Sequence, residues 1–259
     1  MLNVLCIPAF DDNYLWLITS VDNQYCAVVD PGDADPVLSK LNELNLKLSA
    51  ILITHKHYDH VGGVEDLKQQ FPEAVVYGPV NEGIKHIDIN VGEGDKVDLT
   101  KLGLTFDVIE VPGHTEGHIA YFGYGALFCG DTLFAGGCGR VFSGTFEQLS
   151  VSLKKISLLP PETLVYCAHE YTLANLGFAK WVEPNNQLLI QRQIEEKRKR
   201  DDDLATVPSL LQVELNTNPF LRVKEDNVIA AARKWANREL NSDADVFTAL
   251  RQWKDRDYD

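Results

Sequence analysis

No stretch of the 259-residue sequence approaches the roughly 18 consecutive apolar residues of a membrane-spanning helix, and the N-terminus lacks the basic start and apolar core of a secretory signal. Basic residues are scarce: 24 Lys and Arg stand against 38 Asp and Glu, for a formal net charge of −14. Phosphate neutralisation needs a basic stripe, so a nucleic-acid surface is excluded. The one dense basic run, Lys197-Arg198-Lys199-Arg200, is followed at once by three aspartates and reads as a solvated helix face. Five cysteines, at positions 6, 26, 129, 138 and 167, form no Cys-x-x-Cys pair and are odd in number. This argues against a disulfide framework and for a reducing compartment. Cys6, Cys26, Cys129 and Cys167 lie in apolar runs and read as small core residues. No internal repeat is legible at solenoid periods. The expectation is a cytoplasmic protein with neither a membrane nor a nucleic-acid partner.

What is present concentrates in one loop. After the apolar run Ala50-Ile51-Leu52-Ile53, the residues Thr54-His55-Lys56-His57-Tyr58-Asp59-His60 pack three imidazoles and a carboxylate into six positions. Alternate residues of an extended or turning backbone point the same way, so His55 and His57 can face one point, and Asp59 and His60 a second. Imidazole nitrogen and carboxylate oxygen suit Zn²⁺, Fe, Mn or Ni, with zinc the default for a redox-neutral site.

Further candidate ligands sit at the ends of other apolar segments. Val108-Ile109-Glu110-Val111-Pro112-Gly113 delivers His114, Ala126-Leu127-Phe128-Cys129-Gly130 delivers Asp131, and Thr163-Leu164-Val165-Tyr166-Cys167-Ala168 delivers His169. Open α/β sheets place their sites at such carboxyl ends. Taken singly, His114 and His169 read equally well as loop histidines and Asp131 as a helix cap. Beside the first loop, the coincidence is hard to sustain.

Thr-His-x-His-x-Asp-His followed by Gly-His-Thr-x-Gly-His, a strand-end Asp and a later His resembles the metallo-β-lactamase superfamily. From Ile7-Pro8-Ala9-Phe10-Asp11-Asp12-Asn13-Tyr14 to the Arg251-x-x-Lys254-Asp255 tail, the chain resembles glyoxalase II, the hydroxyacylglutathione hydrolases. The narrower resemblance rests on Gly136-Gly137-Cys138-Gly139-Arg140, His169-Glu170-Tyr171-Thr172, Thr217-Asn218-Pro219-Phe220-Leu221-Arg222 and that tail.

Two compositions follow one another along the chain. Up to about residue 170, strands are expected near 2–7, 14–19, 25–29, 50–53, 74–77, 104–111, 119–123, 126–129 and 163–167, with helices near 35–45, 62–70 and 145–158. Beyond Thr172 the strand signal stops, and helices are expected near 173–182, 185–200, 208–215, 226–240 and 243–253. The fold class is therefore α/β, an αββα sandwich of the metallo-β-lactamase kind, with an all-α C-terminal domain. The expected boundary separates a catalytic domain, 1–172, from a helical substrate-binding domain, 173–259.

The resemblance implies two divalent metal ions per chain, zinc by default with iron or manganese as alternatives. His55, His57 and His114 would hold the first, Asp59, His60 and His169 the second, and Asp131 both. Metal-bound water ionises near pH 7, and Asp59 and Asp131 would orient the resulting hydroxide. The implied reaction is hydrolysis of an S-(2-hydroxyacyl)glutathione thioester, chiefly S-D-lactoylglutathione, to glutathione and D-lactate, the second step of methylglyoxal detoxification. A thiolate leaves readily, so no dedicated general acid is needed. His118 completes its motif but matches no ligand of the family, so a role behind the ligands or in packing is expected; His86 lies outside every motif and reads as incidental.

Glutathione carries two carboxylates and one ammonium, so an anionic protein must gather local cations to hold it. Arg251 and Lys254, three apart on a terminal helix, can point the same way, and the resemblance adds Arg140 and Tyr171 to the glutathione contacts. Some relatives carry Lys-Phe-Tyr where this chain has Arg140-Val141-Phe142, so one hydroxyl is missing at Phe142. The partner is thus a small-molecule thioester bound by a monomer. Among rivals of the same fold, a glutathione persulfide dioxygenase holds one iron by fewer ligands, and a ribonuclease wants a basic clamp; the seven-ligand set and the acidic helical appendage fit neither.

Overall fold

The computed structural model describes residues 2–258, which divide into two compact units. The first comprises the residues up to Glu110 together with Thr115–Gly130. It opens with β1 (Asn3–Ala9), β2 (Asn13–Thr19) and β3 (Tyr25–Val29), an antiparallel meander. Helix α1 (Ala34–Leu44) leads into β4 (Lys47–Leu52), parallel to β3. The one-turn α2 (Tyr58–Val61) and then α3 (Val64–Gln70) lead into β5 (Val75–Pro79), and β6 (Ile89–Val91) follows; both continue the parallel array. The product is a mixed sheet in chain order, β1 to β6. A second, antiparallel array comprises β7 (Lys96–Leu99), β8 (Leu104–Glu110), β9 (Ile119–Gly123) and β10 (Ala126–Gly130).

Every residue of β2 is buried, the mark of a strand covered on both faces. Leu15 and Leu17 share one apolar cluster with Val28, Ile51 and Val76, closed by Val37 and Leu41 of α1 and Leu67 of α3. The alternate residues Trp16 and Ile18 are equally buried on the other face, as the period of two requires. Tyr121 of β9, fully buried, donates its hydroxyl to the Ile53 carbonyl at 2.7 Å and so ties the two arrays together. Because β3, β4 and β5 run parallel, their carboxyl ends share one edge, which is where such sheets carry sites. That edge presents Asp30, the His55 loop and, past β5, Glu82.

The second unit comprises Val111–His114 and everything after Gly130. A short hairpin, β11 (Leu133–Phe134) and β12 (Gly137–Cys138), precedes α4 (Phe146–Ile156), which Thr145 and Gln148 open with reciprocal capping bonds. β13 (Leu164–Cys167) is followed by α5 (Thr172–Val182) and α6 (Gln187–Asp201). β14 (Ser209–Leu210) pairs antiparallel with β13, and α7 (Leu211–Thr217), α8 (Asp226–Ala236) and α9 (Asp243–Trp253) follow. A π-helical turn spans Lys254–Tyr258.

The nine expected strands and eight expected helices all appear; what differs is instructive. The helix expected at 208–215 starts at Leu211, because Ser209 and Leu210 are taken into strand pairing with Val165 and Leu164. The helix expected to reach 240 stops at Ala236, where Asn237 turns left-handed at φ 49° and returns its N–H to the Arg233 carbonyl. None of the five cysteines forms a disulfide, and four are buried. Among the described residues no helix is long and apolar enough to cross a membrane.

Candidate metal centre

In the first unit the loop after β4 gathers its imidazoles tightly. His55 Nε2 lies 3.1 Å from His57 Nδ1, and His60 Nε2 lies 3.4 Å from Asp59 Oδ2. Asn13 Nδ2 donates to the same Asp59 oxygen at 3.0 Å. The hydrogen bonds behind the rings fix which nitrogen faces the cluster. Asp30 accepts from the Thr54 backbone N–H and hydroxyl, each at 2.7 Å, and from His60 Nδ1 at 3.0 Å. Thr54 Oγ1, its proton given to Asp30, accepts from His55 Nδ1 at 3.1 Å. The protons therefore sit on Nδ1 of both rings, and the lone pairs on Nε2 point at His57 and Asp59. Close backbone approach makes room for this: a Cβ on Gly32 would overlap the Asp59 carbonyl.

The second unit repeats the logic. His114 Nδ1 donates to the Arg140 carbonyl at 2.7 Å, which leaves the Nε2 lone pair facing Asp131 Oδ2 at 3.4 Å. His169 Nε2 lies 3.3 Å from the other oxygen, Asp131 Oδ1. A Cβ on Gly139 would overlap the Asp131 carbonyl and crowd His114 Nδ1, so only glycine lets this chain pass. Imidazole lone pairs and carboxylate oxygens at such distances repel one another unless a cation lies between them. The donor set in each unit, nitrogen and oxygen with no thiolate, fits a divalent ion of borderline or hard character.

Also within the second unit is a cavity of about 340 Å³, lined by His114, Asp131, Phe134, Cys138, Arg140, Phe142, Tyr171, Asn175, Arg251 and Lys254. The tyrosine ring stacks on His169 at 4.8 Å between centroids. Arg251 is only 1% exposed: it donates to the Cys138 carbonyl at 3.0 Å, pairs with Asp255 at 2.9 Å and lies over the Phe220 ring. Arg140 reaches the same Asp255 carboxylate at 3.3 Å and is half-exposed. The Phe142 ring meets His114 edge-on at 5.2 Å. Burial, against the pull of Arg251, pushes the Cys138 thiol up to about 11, so at neutral pH the cavity wall holds a thiol and not a thiolate nucleophile.

In the first unit, two buried carboxylates beside the loop after β4 belong to none of the sequence motifs. Asp30 follows β3 in a left-handed conformation, φ 50°, which a non-glycine residue adopts only under constraint. Its signal was there, an Asp-Pro-Gly turn directly after an apolar strand. Glu82 accepts from the Lys56 N–H at 3.1 Å, midway between the two loop histidines, and from the Gly117 N–H at 2.6 Å. Nothing local to Glu82 announces that. His118 stacks on His55 at 4.5 Å with its Nδ1 on the Ile119 carbonyl, whereas His86 lies on the surface near Glu65.

Comparison with known proteins agrees with the fold. The metallo-beta-lactamase superfamily model matches residues 10–169, and the model for the hydroxyacylglutathione hydrolase C-terminus matches residues 170–257. Among solved structures, ETHE1 from Myxococcus xanthus is 28% identical with a TM-score of 0.60, over 84% of this chain and 96% of that one. TTHA1623 in a di-iron-bound form is 25% identical with a TM-score of 0.59, over 85% and 100%. The fold is thus that of the metallo-β-lactamases, with a helical C-terminal region. The hydroxyacylglutathione hydrolase of Aeromonas salmonicida is 50% identical over 256 residues, 98% of this chain and 99% of that protein. That of Nitrosomonas eutropha is 47% identical over 254 residues, 98% of each. The chain belongs to the hydroxyacylglutathione hydrolase family of the metallo-β-lactamase superfamily.

Proposed function

We propose that this enzyme hydrolyses S-(2-hydroxyacyl)glutathione thioesters, chiefly S-D-lactoylglutathione, to glutathione and D-lactate. The observation that carries the reading is a complete set of seven donors on a chain about half identical, over nearly its whole length, to hydroxyacylglutathione hydrolases. His55, His57 and His114 would hold one cation and Asp59, His60 and His169 a second, with Asp131 shared, since a carboxylate has two oxygens and a charge to screen two cations. The di-iron form of the 25%-identical TTHA1623 supports a dinuclear site. Zinc is the default occupant, with iron or manganese as alternatives. When bound, such a pair supplies Lewis acidity and acidified water at neutral pH.

The protein's own groups hold and orient. Asp30 and Thr54 keep Nδ1 protonated on His60 and His55, and the Arg140 carbonyl does the same for His114, so each presents Nε2 inward. Asp59 and Asp131 would orient the nucleophile. Arg140, Tyr171, Arg251 and Lys254 would receive the glutathionyl part, with Arg251 already pinned by Cys138 and Asp255. Separate family models over 10–169 and 170–257 support dividing the labour at about 172, catalysis before and recognition after. Five cysteines with no disulfide among them support a reducing, cytoplasmic setting. The test is hydrolysis of S-D-lactoylglutathione, followed by thioester absorbance, with metal content measured on the same sample. Metal-loaded protein that leaves this thioester intact overturns the reading.

A further inference from the structure

The Thr217–Arg222 motif contains no metal-type ligand, yet it borders two deeply buried charged groups of the second unit. Glu214 and Asn218 are fully buried and Arg192 is 3% exposed. From α6, Arg192 donates to Glu214 Oε1 at 2.5 Å and to Thr217 Oγ1 at 2.7 Å, and the Ser209 hydroxyl donates to the same Oε1 at 2.7 Å. The other carboxylate oxygen, Glu214 Oε2, accepts from the Gly136 backbone N–H at 2.8 Å and from Asn218 Nδ2 at 3.3 Å. Asn218 Nδ2 also donates to the Gly137 carbonyl at 2.8 Å and the Phe134 carbonyl at 3.3 Å.

All three backbone partners belong to one hairpin, β11 to β12. With two residues in each strand, that hairpin has no stability of its own. Its position is set by whatever grips its backbone: Glu214 and Asn218 take Phe134, Gly136 and Gly137, and Asn175 Nδ2 adds one bond to the Ala135 carbonyl at 3.1 Å. The hairpin in turn shapes the cavity. The Phe134 ring meets His169 and Tyr171 edge-on at 5.8 and 5.3 Å, and the Cys138 carbonyl holds Arg251.

Stability alone does not account for such a network. A buried ion pair repays its desolvation poorly, and apolar residues of similar volume often do as well. Here Arg192 Nε is also buried without a hydrogen-bond partner, an added cost. What a charged, multiply bonded anchor provides better than an apolar one is a fixed backbone position, because each bond is directional.

We propose that Glu214 and Asn218 are positioning residues for substrate recognition: they hold the Phe134–Cys138 hairpin, and through Cys138 the Arg251 guanidinium, so that the cavity is pre-shaped for the glutathionyl part of the thioester. The proposal rests on the hydrolase reading above. Pre-shaping lowers the ordering cost of binding, so its loss appears in KM.

Asn218→Ala removes both donations to the hairpin carbonyls and leaves the ion pair. Glu214→Gln keeps the shape and one acceptor and removes the charge. Each is assayed with S-D-lactoylglutathione and with a short lactoyl thioester lacking the γ-glutamyl and glycyl groups, alongside metal content and melting temperature. The expected result is a KM for the glutathione substrate raised about tenfold or more, kcat/KM for the short thioester within about threefold of wild type, and unchanged metal content. A residue that only stabilises the fold would lower the melting temperature and leave KM where it was. An unmoved KM in a folded variant, or equal losses on both substrates, overturns the proposal; if Asn218→Ala does not fold, Glu214→Gln decides. Wild-type protein inert toward the glutathione thioester would remove the hydrolase reading and this proposal with it, whereas active wild type with unmoved variants removes the proposal alone.

Discussion

Asp30 and His60 are joined by a 3.0 Å hydrogen bond from ring Nδ1 to carboxylate Oδ2, with both side chains buried. Through Thr54 the same carboxylate also sets the ring of His55. One acidic residue at the end of β3 therefore fixes the tautomer of a histidine from each of the two proposed ligand triplets: turning His60 breaks its bond to Asp30, and turning His55 breaks its bond to the Thr54 hydroxyl that Asp30 orients.

Asp30→Asn tests this directly. Asparagine tolerates the left-handed backbone that Asp30 adopts, so the substitution leaves the turn intact. Its amide NH₂ must face either the Thr54 backbone N–H or both the Thr54 hydroxyl and His60 Nδ1, so at least one of the three bonds is lost. Metal affinity measured by chelator competition should fall by about 10–100-fold, as for other groups that orient metal ligands, and activity should return with excess metal. Wild-type affinity in Asp30→Asn would sink the tautomer argument.

Asp131 faces His114 and His169 with its two separate oxygens. If it serves both cations, elemental analysis of fully loaded wild type should return about two metals per chain, and Asp131→Ala should lose at least one. Hydrolysis should drop by about a hundredfold or more. Asp131→Asn should fare little better, since it supplies no charge. A single equivalent in wild type, or near-normal turnover in either variant, contradicts the shared-ligand assignment.

Both the strand-to-ligand pattern and the helical tail were legible because each rests on local information: apolar runs of strand length ending in His or Asp, and caps such as Thr145 and Ser242 before helical periodicity. What escaped notice depends on distance in the chain. Glu82 lies 26 residues from Lys56 and 35 from Gly117, and neither sequence neighbourhood hints at the other. Glu214 likewise reads as one more charged residue on a short helix; only the fold brings it to Gly136, 78 residues earlier. The two-residue strands β11, β12 and β14 escaped for a related reason, since no period can be read from two positions.

Buried thiols make stability fall on the alkaline side. Burial pushes Cys26 up to about 12 and Cys138 up to about 11. A thiol whose folded pKa is raised contributes stability that is fully present below the unfolded value near 9 and lost as pH climbs through the folded one. The melting temperature should therefore decline progressively above about pH 9, and Cys26→Ala should flatten the decline; each tenfold weakening of the thiol's acidity on folding is worth about 1.4 kcal/mol at most. The four buried cysteines of the native protein should also resist alkylation at pH 8. Rapid labelling of Cys138 at that pH, or an alkaline profile that Cys26→Ala leaves unchanged, contradicts the burial argument.

Lys254 and Arg251 both line the cavity and both are buried, Lys254 over the Tyr258 ring. Arg251 is committed to Cys138 and Asp255 and lies almost wholly out of solvent, so Arg251→Ala removes structural bonds along with any contact to substrate. Lys254→Ala is a second probe of recognition. A hydrogen bond to a charged group contributes roughly 1.5–3 kcal/mol, and each 1.4 kcal/mol is about tenfold. Lys254→Ala should thus raise KM for S-D-lactoylglutathione by roughly tenfold, with metal content unchanged and kcat altered less, because a contact far from the scissile carbonyl binds ground and transition states alike. Arg251→Ala should raise KM at least as much and also lower the melting temperature. A short thioester without the glycine carboxylate is the control. If Lys254→Ala slows that substrate as severely as the glutathione thioester, the lysine acts on the fold of the C-terminal turn, and its assignment to glutathione should be dropped.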